Sequence, residues 1–144
     1  MRRATAILSV LFLAAAAPAA EPDFTAHVDM KTFMEHVLTP AATVIWRVNG
    51  VIIDREGEHD LSPHSDEDWE AVVSGAATLA EATNAMLIPA RVRDRAWRGY
   101  VGDLARSADQ AYRAAEAHDF AGVSAVSDRL DGICSACHKH YGLE

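Results

Sequence analysis

Cys134-Ser135-Ala136-Cys137-His138 stands near the C-terminus of this 144-residue chain, at the end of its last apolar-periodic stretch. Two cysteines three apart, followed at once by a histidine, form the attachment motif of a c-type haem. Two thiols that add across the two vinyl groups of one porphyrin must sit about a helical turn apart, and positions i and i+3 share a helix face. His138 follows Cys137 directly and comes four residues after Cys134, which sets its imidazole against the iron as the proximal ligand. The chain has two cysteines, both in this motif. Other uses of the pair compete. A redox dithiol wants a strand-helix-strand context, and none is visible. A zinc site needs a second ligand pair, and His27, His36, His59, His64, His118 and His140 lack paired spacing. A haem-free helical binding module with a Cys134–Cys137 disulfide is the alternative from another class.

Upstream, Phe120, Val123, Val126, Ser127, Leu130, Ile133, Cys134, Cys137 and Tyr141 recur at spacings of three and four. They form the inner face of a helix capped by Asp119. A third helix is expected over residues 94–117, with Trp97, Val101, Leu104, Ala108, Ala111 and Ala115 along a heptad-like seam. Between it and the preceding helix stand Arg91, Arg93, Arg95 and Arg98, a basic cluster suited either to haem propionates or to a solvated link. The second helix starts after Ser65, a good N-cap with Asp66, Glu67 and Asp68 in the first turn, and runs to about Met86. Its inner face is Trp69, Val72, Val73, Ala76, Leu79, Ala80, Thr83 and Met86, and Pro89 ends it.

Residues 50–64 read as a long connection with no convincing strand alternation. Val51, Ile52 and Ile53 within it are expected to pack over a bundle end or a haem edge. His59 and His64 are weak candidates for cofactor contact. The first helix covers residues 29–49, with Met30, Phe33, Met34, Val37, Leu38, Ala41, Val44, Ile45 and Val48 on its apolar stripe. Pro40 interrupts it, removing a donor and disfavouring helix at Thr39. A kink is expected there, or a break recapped by Thr39.

Residues 1–19 read as a secretory signal peptide: Arg2 and Arg3, an apolar core from Ile7 to Ala16, and cleavage near Ala19 or Ala20. The expected mature chain, residues 20–144, is one exported periplasmic domain with no membrane span, a setting that suits covalent haem attachment. Without Arg2 and Arg3 the formal charge falls from −8 to −10. That argues against nucleic acid and anionic membrane, and it allows steering towards a basic protein partner.

Four amphipathic helices with Cys134-Ser-Ala-Cys137-His138-Lys-His-Tyr141 in the last resemble the class II c-type cytochromes, cytochrome c-prime and its low-spin relatives. The resemblance implies an all-α, up-down-up-down four-helix bundle, one haem c on Cys134 and Cys137 near the end of the C-terminal helix, and His138 as iron ligand. It makes a homodimer through the first two helices plausible. The family's tyrosine is usually followed by arginine, which lines the proximal haem face in gas-binding members; Gly142 stands here and weakens that reading. Electron-transfer members take a sixth ligand, a methionine, from the first helix, whereas five-coordinate members bind NO or CO. Met34, sixteen residues before Gly50, resembles that methionine in placement, with Met30 as second choice. His36, two residues on, points to another side of the helix, and His27 precedes it. The expectation is an electron carrier, not an enzyme, with redox protein partners.

Overall fold

The computed structural model describes residues 24–143. The expected signal peptide, residues 1–19, and its cleavage site lie outside the described residues. The described chain is mostly helical, with four helices packed against one another. The first is built of α1 (Met30–Phe33), a π-helical turn (Met34–Leu38) and α2 (Thr39–Arg47). After a short hairpin of β1 (Val51–Ile53) and β2 (Glu58–Asp60) come α3 (Asp66–Met86), α4 (Arg95–Glu116) and α5 (Phe120–His140).

Each start follows from a side-chain cap that satisfies an orphan N–H. Asp29 accepts from Thr32 N–H at 2.7 Å, Asp94 from Trp97 N–H at 2.8 Å and Asp119 from Gly122 N–H at 3.0 Å. At α3 the cap is reciprocal: Ser65 Oγ accepts from Asp68 N–H at 3.1 Å, and Asp68 Oδ2 accepts from Ser65 N–H at 2.9 Å.

Of the kink and the break open at Pro40, the break does not occur: the helix runs on through it. Pro40 has no N–H to offer the preceding turn, and the chain answers by widening that turn. Thr39 N–H bonds to the Met34 carbonyl, five residues back, and the helix then resumes its normal pitch. Phe33, just before the wide turn, and Leu38, its last residue, are both buried.

The core is a single cluster. Its fully enclosed side chains include Ile45, Val48, Leu79, Trp97, Val101, Val123, Val126 and Leu130. α2 packs on α3 and α5, α3 on α4, and α4 on α5, closing a ring. Where α2 meets α3, Gly75 lets the backbones come close: a Cβ there would lie 2.9 Å from Val44 Cβ and 3.1 Å from the Ala41 carbonyl oxygen. Polar ties join the ends. Asn49 Nδ2, just beyond α2, donates to the Ser124 carbonyl at 3.2 Å and to Asp128 Oδ1 at 3.0 Å, near the start of α5. Tyr141, capping α5, donates its hydroxyl to Asp94 Oδ1 at the start of α4, 2.8 Å away.

Three expectations are corrected. The 50–64 connection contains an antiparallel hairpin, with Val51 opposite Asp60 and Ile53 opposite Glu58. Strands of three residues are too short to show alternation, and neither face of this one is buried. Val51, Ile52 and Ile53 are all exposed and join no part of the core; Ile53 is 78% exposed. Phe120, expected on the inner face, is exposed because it is the first residue of α5 and overhangs the end of the core.

Candidate functional site

The last turns of α5 hold Cys134 and Cys137 against the bundle, with Cys134 half-buried and Cys137 buried. The helix ends firmly. Tyr141 N–H bonds to the carbonyls of Cys137 and His138, both at 3.2 Å. His138, Lys139 and His140 occupy the final turn, where positive charge suits the helix dipole. The bond from Tyr141 to Asp94 fixes this end laterally. Partial burial first, and then that bond, push the Tyr141 hydroxyl up to about 12. Asp94 is held below the usual carboxylate range, chiefly by the Trp97 N–H and then by Tyr141. Arg93 lies 4.9 Å from the Tyr141 ring centre and 5.6 Å from that of Trp97.

In front of this helix end lies an apolar cavity. Its volume is about 90 Å³, and its walls are mostly apolar with a few placed polar groups, as the walls of ligand sites commonly are. The first helix lines it with Met34, Leu38, Thr39, Ala42 and Trp46; α3 adds Leu79 and Met86, and α4 adds Tyr100 and Leu104. α5 contributes Ile133, Cys134, Cys137 and His138. Two thiols, an imidazole and a thioether thus face one space with little else that is polar. Such a donor set can hold a metal-centred group through soft and borderline ligands.

Met34 and Met30 part company here. Met34 lines this cavity, whereas Met30 lines a different surface depression together with His27, Arg91 and Arg93. His36 is exposed and faces a shallow groove against α3. His59 sits 3.0 Å from Asp54 in the hairpin, and His64 lies 3.6 Å from Asp60. Neither histidine lines the cavity. None of the four clustered arginines does so either. Arg91 donates to the Ala85 carbonyl at 3.1 Å and the Val28 carbonyl at 3.0 Å, and Arg95 and Arg98 are exposed. Arg91 and Arg93 are thus engaged by carbonyls and aromatic rings, while Arg95 and Arg98 stand exposed.

Burial moves both thiols away from reactivity. Cys134 is pushed up to about 11 by burial, then by the charges of Asp131 and Cys137. Cys137 is also raised by burial, against the opposing pull of Arg93. Exchange-active dithiols are tuned in the opposite direction, towards the thiolate.

Thr39, Ala42, Trp46 and Tyr100 join the site without having been singled out by sequence reasoning. One signal existed for Ala42 and Trp46: Met34, Leu38, Ala42 and Trp46 are each four apart. A wide turn within that run brings such residues closer to a straight row than an ordinary helix would. No family model, curated protein or solved structure matches the chain. Among the described residues, no helix is long and apolar enough to cross a membrane.

Proposed function

We propose that the chain is a periplasmic, single-haem c-type cytochrome of the class II kind, an electron carrier on an up-down-up-down bundle. The observation that carries this reading is the convergence of Met34 with Cys134, Cys137 and His138 on one apolar cavity, which Met30 does not share. The end-to-end ties from Asn49 to Asp128 and from Tyr141 to Asp94 support alternating helix directions.

In this reading Cys134 and Cys137 form the thioether links, and their spacing suits the two vinyl groups. His138 through nitrogen and Met34 through sulfur would be the residues that hold the iron. The bound haem supplies an iron that alternates between two oxidation states. The chain does the rest. Thioether with imidazole favours reduced iron and raises the potential. Leu38, Ala42, Leu79, Leu104 and Ile133 keep water from the ring. Tyr141, anchored on Asp94, steadies the helix turn that carries His138. The acidic surface, with formal charge −8 over the whole sequence, suits a basic redox partner. A homodimer, as the resemblance implies, would use the first helix and α3.

The test is the mass and the absorption spectrum of the exported protein, oxidised and reduced. A covalent haem mass with a low-spin spectrum is expected. Met34→Ala should turn the haem high-spin, lower its potential and open the iron to CO, whereas Met30→Ala should leave it low-spin. A wild type already high-spin and binding CO would replace the electron carrier with a gas binder. Absence of haem mass would leave the helical module with a disulfide.

A further inference from the structure

The first helix meets the cavity across its wide turn. Met34 to Leu38 make up that turn, and Thr39 N–H bonds to the Met34 carbonyl. A regular α-helix rotates by about 100° per residue, so one extra residue in a turn shifts the phase of everything before it by about that angle. Burial records the shift. Ile45 is fully enclosed and marks the core side of α2. In an unbroken α-helix Met34 would point about 20° from Ile45 and Phe33 about 120° from it. The structure has the opposite order: Phe33 is 6% exposed, and Met34 is half-buried. With one extra residue, Phe33 falls about 20° from Ile45 and Met34 about 80°, on the side of Ala42 and Trp46. Those two residues line the cavity together with Met34. Without the extra residue, the direction now held by Met34 would belong to Glu35. Glu35 is instead exposed, 3.6 Å from Lys31.

We infer that Pro40 is a positioning residue for Met34: by holding the turn wide, it sets Met34 rather than Glu35 on the cavity wall. In a regular helix the Pro40 ring would press on the His36 carbonyl and offer it no N–H. The wide turn relieves that clash, and the phase of Met34 follows. The inference rests on the haem reading above, in which Met34 holds the iron. The two side chains differ in kind. A thioether is a soft, neutral ligand, whereas a carboxylate is charged and costly to place on an apolar wall. One residue of helical phase separates them.

The experiment compares two variants with the wild-type holoprotein. Pro40→Ala restores the N–H and removes the ring, so the helix regularises with its residue count unchanged. It should turn most of the haem high-spin, lower its potential and open the iron to CO. The second variant combines Pro40→Ala with deletion of His36, an exposed residue of the wide turn. The extra residue leaves with the proline, and a regular helix then carries Met34 in its present direction. That protein should be low-spin and closed to CO, as wild type is. A merely structural role for Pro40 would not make ligation fall in the first variant and return in the second. The second variant decides by itself if Pro40→Ala fails to fold. A Pro40→Ala protein that stays low-spin, or a double variant that is high-spin or unfolded, overturns the inference. Wild-type protein without haem, or a Met34→Ala protein with the wild-type spectrum, overturns the functional reading as well. A wild type that needs Met34 for its low-spin spectrum, beside a Pro40→Ala protein that matches it, overturns this inference alone.

Discussion

Replacing Trp97 by phenylalanine should cost about 2–4 kcal/mol of folding free energy. Trp97 is 1% exposed, the largest fully enclosed side chain in the core. Its Nε1 bonds to the Met86 carbonyl at 2.9 Å, in the last turn of α3, where no later helical N–H comes to meet it. Phenylalanine leaves that carbonyl unpaired in a buried place, at about 1–3 kcal/mol. The smaller ring also leaves a void of roughly 40 Å³, which at about 24 cal/mol per Å³ adds about 1 kcal/mol. The ring meets Tyr141 edge-on, with centroids 5.6 Å apart, so the loss is felt at the end of α5 as well. Urea unfolding followed by far-UV circular dichroism measures the change. The midpoint should fall with the slope unchanged, since the same surface is exposed on unfolding. A loss below about 0.5 kcal/mol would show that Met86 finds another donor and that the core closes around the smaller ring. The account of Trp97 as the tie between α3 and α4 would then fail.

Gly75→Val should destabilise by about 1–3 kcal/mol through overpacking, because Val44 Cβ and the Ala41 carbonyl stand where the new side chain must go. Thermal melts read this, and an unchanged melting temperature would mean that α2 and α3 can separate freely. On the haem reading proposed above, replacing both Cys134 and Cys137 with alanine should give a chain that melts lower and less cooperatively, because the apolar cavity would lose its covalent occupant; a melt matching wild type would contradict that expectation. Asp94 should contribute to acid sensitivity. Its carboxyl is lowered on folding, so its contribution is present above the unfolded value and lost as pH falls below about 4. Asp94→Asn should flatten that part of the stability profile, and an identical acid limb in both proteins would contradict the assignment.

The sequence carried the helices well because their ends are chemical. Ser65, Asp94 and Asp119 each announce a start that the caps then realise. Pro40 announced a fault but not its form. Whether a missing donor yields a kink, a break or a wide turn depends on what must face the core on each side, and here Phe33 and Leu38 decide. The hairpin escaped notice because three residues per strand cannot display a period, and Val51 to Ile53 are apolar without being buried. At the site, the cysteine motif was plain from spacing alone. Met30 and Met34 share one apolar stripe, so the choice between them needed the cavity wall. The arginine cluster suited either an anion or a solvated link, and carbonyls and aromatic rings engage two of its members, Arg91 and Arg93.

The burial of Cys137 sets an order of events in the life of the chain. A side chain only 9% exposed admits no bulky reagent, and its raised pKa leaves little thiolate to react. If a porphyrin is to be joined there, the joining must come while α5 is still undocked, before the bundle closes. Loading then competes with folding in time. A variant that speeds closure would be delivered less complete, and one that delays closure modestly would be delivered more so, whatever their final stabilities.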